Sequence, residues 1–351
     1  MNLDATRRSL SNTSRLWAIA VCLQIVPCRK RDGTEEFASG RWLTRRKRVC
    51  YRNLRSYLAL WPREAGLACR ASRGRKNVNV VQDVAHQKLA KLEDLLKEMG
   101  DVLVAFSGGV DSSFLLWAAH RVLGDRALAV TGKSESVATG QIEEARQLAE
   151  TLGARHIILD TEELQNPLYV ANPTNRCYHC KTELFTKLET FAARQGIRWI
   201  IEGSNLDDMH DYRPGLQAAV EHGVRSPLKE AELTKAEIRE LSREAGLPTW
   251  DKPAMPCLSS RIPYGMVVSP EKLAMIDRSE AYLRGLGFRD LRVRHHGPIA
   301  RIELPPSEFA KILDGDTAAE VARTLKGYGF KFVTLDLQGF RSGSLNEGVV
   351  K

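Results

Sequence analysis

The sequence predicts an α/β fold, a parallel sheet with helices on both faces, followed by a small α+β domain. Three observations predict it. Short apolar runs alternate with segments of helical period between residues 84 and 202, the pattern of βαβ units with right-handed crossovers. One stretch, VLVAFSGGVDSSF at 102–114, sets a Ser-Gly-Gly turn between an apolar strand and the start of a helix. Beyond the proline-rich passage GLPTWDKPAMPCLSSRIPYG the order becomes helix, strand, strand, helix, strand.

Each element follows from local pattern. Helix 84–99 precedes strand 102–106, and helix 112–122 carries its apolar residues at helical spacing. Strand 127–130, helix 141–152 and strand 156–160 continue the alternation. A Pro- and Asn-rich connection carrying Cys177 and Cys180 then leads to helix 182–194 and strand 198–202. Helix 234–245 opens on a capping box, Thr234 with Glu237. The second domain reads as helix 270–286, strands 290–294 and 299–304, helix 306–326 and strand 331–337. The division is therefore 1–77 extension, 78–250 nucleotide-binding type domain, 251–345 small domain.

Charge separates the extension from the body. The first 76 residues hold 18 Lys and Arg against 5 Asp and Glu, so the chain's net +9 leaves −4 for everything after them. That balance argues against a nucleic-acid surface on the body. The apolar stretch 16–26, flanked by arginines, fits signal- and transit-peptide templates in part. Without sustained period it reads instead as a disordered or non-native extension from an upstream start codon. Of seven cysteines, Cys177, Cys180 and Cys257 lie in the body, an odd set that suits a reducing compartment with metal or catalytic use. No apolar run is long enough to span a bilayer, and a cytoplasmic location without a membrane partner is expected.

The loop carries the chemistry. It lacks the Lys of a Walker motif, yet Gly108 and Gly109 let backbone N–H groups approach an anion, and Ser107, Ser112 and Ser113 add hydroxyls. The helix start adds partial positive charge, and Asp111 can hold Mg²⁺ on the same phosphates. A second cluster, EGSNLDDMHDYRPG, brings Glu202, Ser204, Asn205, Asp207, Asp208, Asp211 and Arg213 to another strand end. Asp207 and Asp208 there suit Mg²⁺ or substrate positioning, whereas Asp211 and Arg213 read equally as an internal salt bridge. Cys177 and Cys180, at C-x2-C spacing, suit one edge of a metal site, a structural zinc or a pair of buried thiols. Arg292 and Arg294 alternate on one strand and share a face.

SGGVDSS resembles the PP-loop of the ATP pyrophosphatases, which split ATP between its α and β phosphates. NRCYHCK, EGSNLDDMHDYRPG, SPLKEAELTKAEIRELSREAGLP, WDKPAMPCLSSRIPYG and RVRHHG, in this order, resemble the LarE-type ATP-dependent sulfur transferases of nickel pincer nucleotide synthesis. The resemblance covers about 78–345 and implies ATP and Mg²⁺ as cofactors. It implies a pyridinium-3,5-dicarboxylate mononucleotide as the substrate, a homo-oligomer, and other nickel pincer nucleotide proteins as partners. It implies adenylation of a carboxylate and transfer of sulfur from Cys257, which becomes dehydroalanine. With Cys177 and Cys180 present, it also admits a three-cysteine [4Fe-4S] cluster in place of sacrificial chemistry. It assigns Arg292 and Arg294 to the substrate phosphate, Ser134 to the adenylate and Glu303 to a divalent metal. Lys133 lies beside Ser134 and reads equally as surface, Glu303 reads also as a salt-bridge partner, and His295 and His296 receive no role. An amidating PP-loop synthetase of the NAD or GMP type and a tRNA thiolase are the alternatives.

Overall fold

A computed structural model of the protein describes residues 73–210 and 214–341. All of the basic extension but 73–77 therefore lies outside the described residues, as do Asp211 and Arg213. The first helix, α1 (Arg73–Met99), begins eleven residues before the helical period is evident in the sequence.

Four parallel strands form the main sheet: β1 (Val102–Ala105), β2 (Ala127–Lys133), β3 (Arg155–Asp160) and β4 (Trp199–Ile201), in the order β3-β2-β1-β4. Period-two alternation splits their side chains between two cores. Val102, Val104, Ala127 and Ala129 join one cluster with α1, α2 (Val110–Leu123) and α3 (Thr139–Thr151). Leu103, Leu128 and Val130 face the other, against Phe185 and Leu188 of α4 (Arg176–Gln195) and Ala218 and Ala219 of α5 (Pro214–Glu221). Both faces are covered, so the central strands read as continuous apolar runs.

The strand order decides where a ligand goes. After β1 the chain steps outward to β2 and β3, then returns across the sheet to pair β4 with the free side of β1. The reversal leaves a crevice at the carboxyl ends of β1 and β4, the usual ligand position in such sheets.

Helix α6 (Lys235–Glu244) carries the capping box that the sequence predicts: Thr234 Oγ1 accepts from the Glu237 N–H and Glu237 accepts from the Thr234 N–H. Other elements differ from expectation. Helix α4 starts at Arg176, six residues before the predicted 182, so Cys177 and Cys180 occupy its first turns and not a loop. The predicted helix 306–326 is broken into a short turn, Phe309–Ile312, and α8 (Gly315–Gly327). Gly315, directly after Asp314, is a poor interior residue that helical period alone does not register.

The C-terminal part builds a three-stranded sheet, β5 (Arg292–His296), β6 (Ile299–Glu303) and β7 (Phe332–Leu335), with β5 antiparallel and β7 parallel to β6. Helix α7 (Pro270–Gly285) and α8 cover it through Leu283, Val293, Ile302, Val321 and Leu325. A further cluster, with Ala138 and Tyr169 on one side and Leu258, Ile262 and Ile276 on the other, packs this part against the carboxyl end of the main sheet.

Candidate active site

The nucleotide loop is built around close backbone approaches. Gly108 has φ +68°, and a Cβ there would also lie 3.2 Å from that of Ala145. Gly109 is the N-cap of α2 and no side chain caps the helix, so its first N–H groups are left for an anion. The serines brace the loop: Ser107 Oγ and Ser112 Oγ are 3.0 Å apart, and Ser113 Oγ donates to the Gly109 carbonyl at 2.6 Å.

The acidic loop after β4 packs directly on this helix start. A Cβ on Gly203 would lie 2.9 Å from the Ser112 backbone nitrogen, a contact that only glycine permits. Asn205 Nδ2 then donates to Asp111 Oδ1 at 3.3 Å. The acids of this loop are used in holding it together. Asp208 accepts from the Asn205 N–H, Asp207 from the Lys235 N–H, and buried Glu202 from Ser204 N–H and Ser226 Oγ. Burial pushes the Glu202 carboxyl up, but Lys181 and the serines outweigh it and hold its pKa below the ordinary range.

Two lysines reach the loop from far along the chain. Lys235 Nζ pairs with Asp111, and Lys252 Nζ donates to the Gly108 carbonyl at 3.2 Å while pairing with Glu144 at 2.6 Å. They bring to the loop the cationic groups that its own sequence lacks. Their only signals in the sequence are TKAE, which reads as a cap, and WDKPAM, which reads as a boundary. Ser134 and Ser136 both donate to Glu163 Oε1, at 2.5 and 2.6 Å, so Ser134 is tied to a buried acid that no motif points to. Lys133 is a surface residue, 3.7 Å from Asp160.

Segment 252–260 lies between the nucleotide loop and the small sheet. On one side Lys252 meets Gly108, Gln141 Nε2 reaches the Met255 carbonyl at 3.4 Å, and Leu258 N–H donates to the Ser136 carbonyl at 2.8 Å. On the other, Arg292 donates to the Ala254 carbonyl at 2.6 Å, Arg294 to that of Ser260 at 2.7 Å, and Arg176 to that of Ser259 at 3.0 Å. Cys257 sits mid-segment, half-buried.

The two strand arginines differ. Arg294 makes a buried two-bond pair with Glu303, at 3.0 and 2.9 Å, and Glu303 also accepts from Arg301 at 2.9 Å. Arg292 has no carboxylate at ion-pair distance among the described residues. Burial, then Arg261, pushes its pKa down to about 10. The Glu280 carboxylate, beyond ion-pair distance, offsets part of this. His295, on β5, is buried against Phe330.

Cys177 and Cys180 are three residues apart on α4, hence on one face of the helix. The three thiols feel one another. Cys177 is exposed, yet what desolvation its sulfur suffers, then charge on Cys257, disfavours its thiolate; burial, then Glu163 and Cys257, disfavours that of Cys180. Arg176 beside them offsets part of this at Cys177. Among the described residues no group of three His, Cys, Asp or Glu side chains is arranged to hold a metal ion, so the three thiols do not form a ready metal site as they stand.

No family model matches the chain. Three-quarters of it, 265 residues, is 40% identical to the pyridinium-3,5-bisthiocarboxylic acid mononucleotide synthase of Lactiplantibacillus plantarum, of which it covers 95%. The chain belongs to this synthase family. It is an enzyme. An uncharacterized protein of Synechocystis is 46% identical over 264 residues, covering 75% of this chain and 98% of the relative. One component of the glutamine-hydrolyzing GMP synthase of Archaeoglobus fulgidus is 26% identical over 212 residues, covering 57% of this chain and 69% of that protein, which is consistent with the PP-loop sheet described above. No helix among the described residues is long and apolar enough to cross a membrane.

Proposed function

We propose that this synthase-family enzyme uses ATP and Mg²⁺ to adenylate the carboxylates of a pyridinium-3,5-dicarboxylate mononucleotide and replaces a carboxylate oxygen of each with sulfur. The observation that carries the reading is segment 252–260, hydrogen-bonded to the nucleotide loop on one side and to Arg292 and Arg294 on the other. A mononucleotide with its phosphate at Arg292 presents its ring carboxylate toward Cys257 and the loop.

The chain's residues divide the work. Gly108, Gly109 and the start of α2 take the leaving phosphates, with Ser107, Ser112 and Ser113 bracing the loop and Lys235 and Lys252 adding positive charge. Asp111 would hold Mg²⁺ on those phosphates, where the ion would supply positive charge opposite the leaving pyrophosphate. The substrate carboxylate oxygen bonds to the α-phosphorus and pyrophosphate departs. The Cys257 thiolate adds to the acyl carbon, and AMP leaves with that oxygen. Loss of the Cys257 Cα proton to a base then breaks the Cβ–S bond, leaving dehydroalanine and a thiocarboxylate. Arg294, locked to Glu303, supports the strand beside the phosphate.

With the dicarboxylate substrate, AMP and pyrophosphate form in equal amounts, and Cys257 loses the mass of one hydrogen sulfide. Release of ADP and phosphate overturns the adenylation. A second reading of the sulfur source is a [4Fe-4S] cluster on Cys177, Cys180 and Cys257, which needs these thiols to rearrange, since they are not placed to hold a metal as they stand. Iron and sulfide at stoichiometric levels after anaerobic purification, with Cys257 intact after turnover, select it.

A further inference from the structure

Cys257 heads the turn Leu258–Arg261, and the last residue of that turn folds back onto it. Arg261 is 2% exposed. Its Nη1 donates to the carbonyls of Pro256 at 2.5 Å and Cys257 at 3.0 Å and to Ser260 Oγ at 2.9 Å. The other edge of the same guanidinium, Nε and Nη2, forms two bonds with Glu280 at 2.8 and 3.0 Å. Glu280, fully buried on α7, also accepts from the backbone N–H of Val293 at 3.1 Å, between Arg292 and Arg294, and from Arg284 at 2.8 Å.

These bonds make one continuous chain: Cys257 carbonyl, Arg261, Glu280, Val293 N–H. A buried ion pair is weak grounds for stability, since desolvation offsets much of its attraction. What this one supplies is geometry. A planar fork can hold a carboxylate along one edge and two carbonyls along the other, which a lysine ammonium cannot do.

We propose that Arg261, anchored on Glu280, is a positioning residue that fixes Cys257 at a set separation from Arg292 and Arg294, so that sulfur meets the adenylated carboxylate of a substrate held by its phosphate. The inference rests on the function proposed above. Among the described residues Arg261 makes no hydrogen bond or ion pair with the nucleotide loop, so loosening it separates the two half-reactions: carboxylate activation continues while sulfur delivery fails. Misplacement of a reacting group by about 1 Å lowers its step roughly a hundredfold.

The test is a single turnover with ATP and pyridinium-3,5-dicarboxylate mononucleotide, measuring pyrophosphate and thiocarboxylate together. In Arg261→Lys, pyrophosphate formation stays within about twofold of wild type while thiocarboxylate per pyrophosphate drops by about a hundredfold. The double variant Arg261→Met with Glu280→Gln removes both buried charges and keeps an acceptor for Val293. It gives the same uncoupling, so a folding defect in the lysine variant does not end the test. A purely structural role lowers both products in proportion. A ratio equal to wild type in the folded variants overturns the proposal. Wild-type enzyme that forms no pyrophosphate with this substrate overturns the proposed function instead, and the inference with it.

Discussion

Glu303→Gln separates two roles for one buried acid. Glu303 is fully buried and accepts two bonds from Arg294 and one from Arg301. Glutamine keeps the volume, loses the charge and turns an amide donor toward guanidinium donors. Removing one partner of a buried pair destabilises by about 3–5 kcal/mol. The lower end applies, because the Arg301 side chain is one-third exposed and also reaches Asp336 at 3.4 Å, and Arg294 keeps its bond to the Ser260 carbonyl. About 3 kcal/mol, at roughly 2–4 °C per kcal/mol for a body of this size, lowers the melting temperature by about 6–12 °C. Thermal unfolding followed by circular dichroism reads the shift, and a Mg²⁺ titration of pyrophosphate release reads the metal requirement. A clamp on Arg294 gives the large shift with an unchanged Mg²⁺ midpoint. An unshifted melt with a raised Mg²⁺ midpoint refutes the clamp and makes Glu303 a metal ligand.

Three further outcomes follow from the same contacts. Gly203→Ala forces a Cβ to within 2.9 Å of the Ser112 nitrogen, so the acidic loop and α2 separate; about 1–3 kcal/mol of stability is lost and pyrophosphate formation falls, measured by melting and a coupled assay. Arg292→Ala raises KM for the mononucleotide at least tenfold with a smaller change in kcat, because one charge-assisted phosphate contact is worth about 1.5–3 kcal/mol. Burial raises the Glu280 carboxyl, yet Arg261, Arg284 and Arg292 outweigh it and hold its pKa below 4.5. Its contribution to stability is thus present above pH 4.5 and lost as pH falls through the folded value, so Arg261→Met with Glu280→Gln flattens the acid limb of a pH–stability curve.

Much of the nucleotide half-site is legible in the chain itself. SGGVDSS lies on consecutive residues, and a strand, two glycines and a helix start are local features that backbone sterics impose. The capping box at Thr234 is equally local. Lys235, Lys252, Glu163, Arg261 and Glu280 are not legible as site residues. Each acts across a long separation, Lys235 on Asp111 and Arg261 on Glu280 for example, and nothing in a lysine's or a glutamate's neighbours along the chain says which remote group it meets. The helical setting of Cys177 and Cys180 is hidden for a different reason. Prolines and asparagines upstream suggest a loop, but the helix starts at Arg176, whose side chain is held by Asn172 and the Ser259 carbonyl.

The sequence alone determined the alternation of strands and helices, the Ser- and Gly-rich turn at 107–113, the basic character of the first 76 residues and the set of three cysteines in the body. Only the tertiary structure decided that Arg294 pairs with a carboxylate while Arg292 has none at ion-pair distance among the described residues, and that segment 252–260 is gripped from both sides. Local features follow from torsional and steric preferences that each residue carries wherever it stands. Counter-charge and separation belong to pairs of groups, and a pair exists only once the chain has folded.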